Sequence, residues 1–99
     1  MAAENDGTAS RTRLLARALG RVQGVGFRYW TRDQAERLGL TGAALNEPDG
    51  TVKIVAEGPQ EAVEEFRLLL ESGGTPGRIE RLDATYSRAT GEFTEFGVG

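Results

Sequence analysis

At two places along the chain, the spacing of the hydrophobic residues changes from that of a strand to that of a helix. This pattern constrains the fold more than any other feature of the sequence. From residue 13 to residue 22, apolar side chains alternate with arginines, which is the pattern of a half-buried strand with a solvated outer face. From residue 27 to residue 39, apolar positions recur every three or four residues, which predicts a helix that ends near Gly39. One strand followed by one helix is therefore predicted for the first half of the chain.

A β-hairpin is predicted next. The segments LTGAALN and TVKIVAE flank EPDG, in which Pro48 suits the second position of a type I turn and Gly50 closes it. The β-branched residues Val52 and Ile54 favour a strand after the turn.

The second helix has the clearest amphipathic pattern in the chain, because five apolar residues fall on one side of it. These residues are Ala62, Val63, Phe66, Leu69 and Leu70. Pro59 suits the first turn, and Gly73 and Gly74 suit the end. The segment RIERLDATYS then predicts a fourth strand with one irregularity between Ile79 and Leu82, and EFTEFGV could add an edge strand.

The predicted order is β-α-β-β-α-β with an optional fifth strand. Each of the two helices has one apolar side, two crossovers contain them, and one hairpin joins the two middle strands. This arrangement predicts an α+β ferredoxin-like sandwich. In that fold an antiparallel sheet of four to five strands carries both helices on one face. A chain of 99 residues suits one such domain, expected over residues 11–99. Residues 1–10, which lack an apolar core and a basic residue, are expected to form a disordered tail rather than a signal peptide.

The composition narrows the possible chemistry. The chain has no cysteine and no histidine, which excludes thiolate nucleophiles, imidazole catalysis and the usual zinc ligands. A net charge of −3 gives little attraction for nucleic acid, and no apolar run is long enough to span a membrane. The expected protein is a cytoplasmic monomer.

The glycine-rich segment GRVQGVGFR, residues 20–28, lies between the first predicted strand and helix. Glycines at such a junction can turn backbone N–H groups inward beside a helix N-terminus, which favours an anion. Arg28 falls in the first turn, where a guanidinium is unfavourable unless an anion also binds there. The segment has neither the third glycine of a dinucleotide loop nor the lysine of a Walker loop. On these residues alone, an ordinary tight turn with a solvated arginine is an equally good interpretation.

A second motif removes this ambiguity. GRVQGVGFR, followed 18 positions after Arg28 by Asn46 in the pattern N-x-x-D-G-x-V, resembles the acylphosphatase family over most of residues 13–98. The resemblance implies hydrolysis of acyl phosphates, with Arg28 as the phosphate-binding arginine and Asn46 as the residue that positions the water. It also implies a phosphate cradle made by the backbone of six loop residues, namely Gln23, Gly24, Val25, Gly26, Phe27 and Arg28. The products would be inorganic phosphate and a carboxylate, and the resemblance implies that the reaction needs neither a metal nor a cofactor.

Two other interpretations stay open at this point. The domain could be an anion-binding or interaction module without catalytic activity, since the fold hosts many functions. It could also bind RNA on its open sheet face, although the negative charge and the lack of a suitable aromatic pair argue against this. The aromatic residues Tyr29 and Trp30 could flank an acyl group, but helix aromatics more often belong to the core, so neither is assigned to the site.

Overall fold

The computed structural model describes residues 11–99, so the expected disordered tail of residues 1–10 lies outside the described residues. The described chain contains five strands and two helices. In chain order they are β1 (Arg11–Arg21), α1 (Phe27–Arg37), β2 (Thr41–Asn46), β3 (Val52–Pro59), α2 (Gln60–Glu71), β4 (Arg78–Arg88) and β5 (Phe96–Val98).

The five strands form one sheet in the order β4-β1-β3-β2-β5. Each neighbouring pair among the four longer strands is antiparallel, which confirms the predicted ferredoxin-like arrangement. The short strand β5 pairs in parallel with β2, so the sheet is mixed and not wholly antiparallel. The segment after β4 crosses from one edge of the sheet to the other and reverses direction, because β4 runs opposite to β2 whereas β5 runs parallel to it.

The core lies between one face of the sheet and the two helices. Alternate residues of the two central strands, such as Leu14 and Ile54, are fully buried on this face. Phe27 from α1 and Phe66 from α2 pack into the same cluster, and Phe66 also makes an edge contact with Phe96 of β5. The strand period of 2 and the helix period of 3.6 therefore direct apolar groups to a single interface.

The opposite face of the sheet carries a buried carboxylate. Glu57 of β3 is 1% exposed, and its two oxygens accept hydrogen bonds from Arg13 Nη1 at 2.8 Å and from the N–H groups of Thr90 and Gly91 at 2.9 Å each. The Thr90 hydroxyl donates a fourth bond at 2.9 Å. Burial raises the pKa of Glu57, but the hydrogen bonds from Thr90, Arg13 and Gly91 outweigh it and lower the pKa to about 2.

Glu57 therefore holds the crossover segment, which we define as residues 89–95, against the sheet. The expectation that the arginines of β1 form a solvated face is wrong for Arg13, whose side chain is only 21% exposed. Its partners lie 44 and more residues away, at distances that a local pattern does not reveal.

A β-bulge shapes the end of β1 that leads to the glycine-rich segment. The pairing of β1 with β4 shifts between Leu19 and Gly20, because Leu19 pairs with Arg81 while Gly20 pairs with Ile79. This confirms the irregularity predicted between Ile79 and Leu82. Gly20 has φ +134°, and a Cβ at this position would collide with the carbonyl oxygen of Arg78. Glycine is thus required here for β1 to stay close to β4 up to the point where the loop begins.

Candidate active site

The loop of residues 22–26 connects β1 to α1 and takes its shape from two glycines. Gly24 has φ +76° and Gly26 has φ +85°, both in the left-handed region. A Cβ at either position would meet no atom of the described residues within 4 Å, so backbone conformation and not space requires glycine. Val22 and Phe27, each 1% exposed, anchor the two ends of the loop in the core.

The N–H groups of this loop are available to a ligand. Within residues 11–99, no backbone N–H from Gln23 to Arg28 donates to a protein acceptor. Gly26 is the N-cap of α1 without a side-chain cap, and the first turn of α1 holds no acidic residue. The loop therefore combines unpaired donors with the positive end of a helix dipole, which together favour an anion.

Arg28 adds a guanidinium to the same end of α1. Its side chain is half-buried, and its Nη1 donates to the main-chain oxygen of Gly99 at 2.6 Å. The guanidinium carbon also lies 5.6 Å from the centre of the Tyr29 ring. These two contacts hold Arg28 beside the loop and leave other donors of its planar group free for a phosphate.

Asn46 meets Arg28 at the same acceptor. It is the last residue of β2, and its backbone N–H donates to the oxygen of Gly99 at 3.0 Å. The Asn46 residue is exposed, and its side chain makes no hydrogen bond within the described part of the chain. The structure thus brings together the two residues that the sequence identifies as catalytic, although 17 residues separate them along the chain.

The side chain of Gln23 forms a second link between the loop and the Asn46 hairpin, and the sequence analysis missed it. Its Nε2 donates to the carbonyl oxygens of Glu47 and Thr51, each at 2.9 Å. Sequence reasoning assigned only the Gln23 backbone to the site. A glutamine in a glycine-rich loop carries no local signal for partners 24 and 28 residues away.

The hairpin turn closes between Glu47 and Gly50, the two ends of the predicted turn, and has its own internal bonds. Gly50 N–H donates to Glu47 O at 3.1 Å across the turn, and Glu47 N–H donates to Thr51 O at 2.9 Å. The hydroxyl and N–H of Thr51 donate to Asp49 at 2.6 and 3.0 Å. Hydrogen bonding from the Thr51 side chain is the largest cause that lowers the pKa of Asp49. Asp49 and Gly50 therefore act as turn residues, as expected.

The aromatic pair after Arg28 divides between core and surface. Trp30 packs against the core and stacks on Phe27, with ring centres 6.3 Å apart. Tyr29 is 49% exposed and lies between the guanidinium groups of Arg28 and Arg32. Trp30 is therefore part of the core packing, as expected of a helix aromatic.

The described residues contain no group of three or more carboxylate, imidazole or thiolate side chains that could hold a metal ion. No helix within residues 11–99 is long and apolar enough to cross a membrane.

Comparisons with known proteins give one consistent family over most of the chain. The family model described as Acylphosphatase matches residues 15–98. Among curated proteins, the chain is similar to an acylphosphatase of Arthrobacter sp. (strain FB24), with 53% identity over 97 residues, which are 98% of this chain and 88% of that protein. A relative in Mycobacterium sp. (strain JLS), also named acylphosphatase, is 54% identical over 84 residues, which are 85% of this chain and 89% of the relative.

Solved structures give the same result. The crystal structure of acylphosphatase from Bacillus subtilis superposes with a TM-score of 0.83 at 31% identity, covering 89% of this chain and 98% of that one. The structure of an acylphosphatase from Coxiella burnetii has a TM-score of 0.82 at 27% identity, covering 95% and 98%. The similarity therefore extends over the whole folded unit in each of these proteins.

Proposed function

The chain belongs to the acylphosphatase family, and from this premise we propose that Arg28 and Asn46 share the catalytic work at the junction of the loop and the hairpin. The protein hydrolyses acyl phosphates to a carboxylate and inorganic phosphate. Its substrate is a small molecule. One observation supports the proposed division most directly, namely that Arg28 Nη1 and the Asn46 N–H both donate to the oxygen of Gly99.

In this proposal the loop and Arg28 hold the phosphoryl group. The unpaired N–H groups from Gln23 to Arg28, which include those of Gly24, Val25, Gly26 and Phe27, surround the phosphoryl oxygens. The guanidinium of Arg28 contacts two of these oxygens at once. Charge spreads over the phosphoryl oxygens in a loose transition state, so fixed donors at these positions stabilise it without having to move.

Asn46 places the attacking water. The free side-chain carbonyl of Asn46 accepts a hydrogen bond from the water and directs its oxygen to phosphorus. A new bond forms between the water oxygen and phosphorus, the bond between phosphorus and the acyl oxygen breaks, and the carboxylate leaves with the electron pair. The water proton passes to a phosphoryl oxygen, because a neutral amide does not accept a proton near pH 7. A carboxylate is a good leaving group, so no strong base is needed.

Membership of the acylphosphatase family also argues against a non-catalytic anion-binding module, which the sequence alone left open. A non-catalytic anion-binding module would need neither an exposed asparagine beside the arginine nor curated relatives named as enzymes. We also propose that the protein acts as a monomer in the cytoplasm and needs neither a metal nor an organic cofactor.

Two substitutions test the roles of the site residues. Arg28→Lys replaces a planar fork with a single ammonium, so we expect kcat/KM for an aryl acyl phosphate to fall about 10²-fold or more. Asn46→Ala should lower kcat by about 10²-fold while the inhibition constant of inorganic phosphate changes little, since the phosphate donors remain. Arg37→Lys, at the other end of α1, is the matched control and should keep full activity.

Thermal unfolding with and without inorganic phosphate checks that each variant is folded and still binds the anion. Normal turnover of folded Asn46→Ala would refute its role in placing the water. Normal turnover of folded Arg28→Lys would refute bidentate binding of the phosphoryl group.

A further inference from the structure

The side chain of Gln23 links the two halves of the site in a way that its place in the phosphate loop does not require. Its backbone belongs to the loop, but its amide extends away from the loop to the hairpin that begins at Asn46. Glu47, one of the two residues it contacts, directly follows Asn46. A single side chain therefore connects the segment that holds the phosphoryl group with the segment that carries Asn46.

The contact has a strict chemical requirement. Both partners of Gln23 Nε2 are carbonyl oxygens, at 2.9 Å each, so the atom in this position must supply two hydrogens. A primary amide does so without bringing a charge into a half-buried position. A methionine of similar length supplies no hydrogen, and a glutamate would direct negative charge at two carbonyl oxygens.

The hairpin does not need Gln23 to form its turn. The turn is already closed by the bond from Gly50 to Glu47, the bond from Glu47 to Thr51 and the contacts between Asp49 and Thr51. What Gln23 adds is the placement of the whole turn relative to the loop. On the other side of Asn46, the Gly99 oxygen makes the corresponding link to Arg28.

We propose that Gln23 is a positioning residue that fixes the Asn46 hairpin against the phosphate loop, so that the water held by Asn46 is aligned with the phosphorus. This inference rests on the proposed role of Asn46. It predicts a separation of two kinetic effects, since loss of the link misplaces the water but leaves the phosphate donors in place. A reacting group displaced by a fraction of an ångström to 1 Å lowers the rate by about 10- to 100-fold.

The first test uses two variants of nearly unchanged size. We expect Gln23→Met to lower kcat about tenfold or more while the inhibition constant of inorganic phosphate stays within about twofold. Gln23→Glu should lose at least as much activity, because its carboxylate repels both carbonyl oxygens. A space-filling role predicts full activity for both variants, and that result would overturn the proposal. Gln34→Met in α1 is the matched control and should keep normal kcat.

The second test is a double-mutant cycle with Asn46→Ala. If Gln23 acts through Asn46, adding Gln23→Met to the Asn46→Ala protein should change kcat by less than about twofold. Effects that multiply would overturn the positioning role and leave the role of Asn46 intact. Normal kcat for Asn46→Ala alone would overturn both proposals, so the two failures can be told apart. If Gln23→Met does not fold, Gln23→Asn takes its place in the cycle, because a side chain shorter by one methylene does not span both carbonyls.

Discussion

Replacing Glu57 with glutamine measures how much one buried carboxylate stabilises the fold. Glu57 is 1% exposed and accepts four hydrogen bonds, from Arg13, from Gly91 and from two donors of Thr90. Glutamine has nearly the same shape but no charge, and its NH₂ group would face donors in place of an acceptor. The variant therefore removes the charge with little change in volume.

The pKa of Glu57 gives the expected magnitude. In the folded protein this pKa is about 2, whereas an unperturbed glutamate has a pKa of about 4.3. A difference of about 2 units corresponds to about 3 kcal/mol of unfolding free energy. Because the folded pKa is the lower one, this stabilisation is complete above about pH 5 and is lost as the pH falls through 4.3 towards 2.

Urea unfolding of the wild type and Glu57→Gln at several pH values tests this reasoning. At pH 7 the variant should be less stable by about 3 kcal/mol, and the difference should shrink steadily below about pH 4.5, where Glu57 takes up a proton in the unfolded wild type while it is still ionised in the folded protein. Glu65→Gln, an exposed glutamate on the same chain, is the control and should stay within about 0.5 kcal/mol of the wild type. A difference between wild type and Glu57→Gln that is the same at pH 7 and pH 3 would refute the assigned charge effect.

Two further outcomes are expected. Gly42→Ala should lower Tm by about 10 °C or more in thermal unfolding, because a Cβ at this position collides with the Val55 carbonyl oxygen. Gly97→Ala is the control and should change Tm far less, because a Cβ there has no neighbour within 4 Å in the described chain. Equal Tm values for the two variants would contradict this. Addition of a chelator should leave kcat for an aryl acyl phosphate unchanged, and inorganic phosphate should inhibit the reaction competitively. If the chelator abolished activity and added divalent metal restored it, the reaction would not be metal-independent.

Local patterns predicted the elements of this fold because side-chain spacing alone determines them. The positions of Leu14 and Phe66 in the core follow directly from strand and helix periods. Gly39, with φ +74°, follows the end of α1 as expected of a helix-terminating glycine. The parallel pairing of β5 and the contact of Glu57 with Arg13 could not be predicted in the same way, because each depends on where distant parts of the chain meet.

The candidate site, like the fold, could be predicted from local sequence only in part. The anion-binding character of the loop could be derived from its glycines and from Arg28, but Asn46 alone looked like an ordinary turn residue. Only the resemblance, which pairs the two motifs, identified its role. The link through Gln23 and the shared oxygen of Gly99 stayed hidden, since the partners lie 24 to 71 residues apart in the chain.

The order of strands in the sheet also governs when the protein can fold during its synthesis. β1 is made first, yet its two neighbours are β3 and β4, and β4 extends to Arg88. Until the ribosome has added both strands, β1 lacks one or both of its sheet neighbours, a state that favours contact with chaperones. The oxygen that joins Arg28 to Asn46 belongs to Gly99 and emerges later still. A nascent chain should therefore stay inactive until Gly99 has emerged.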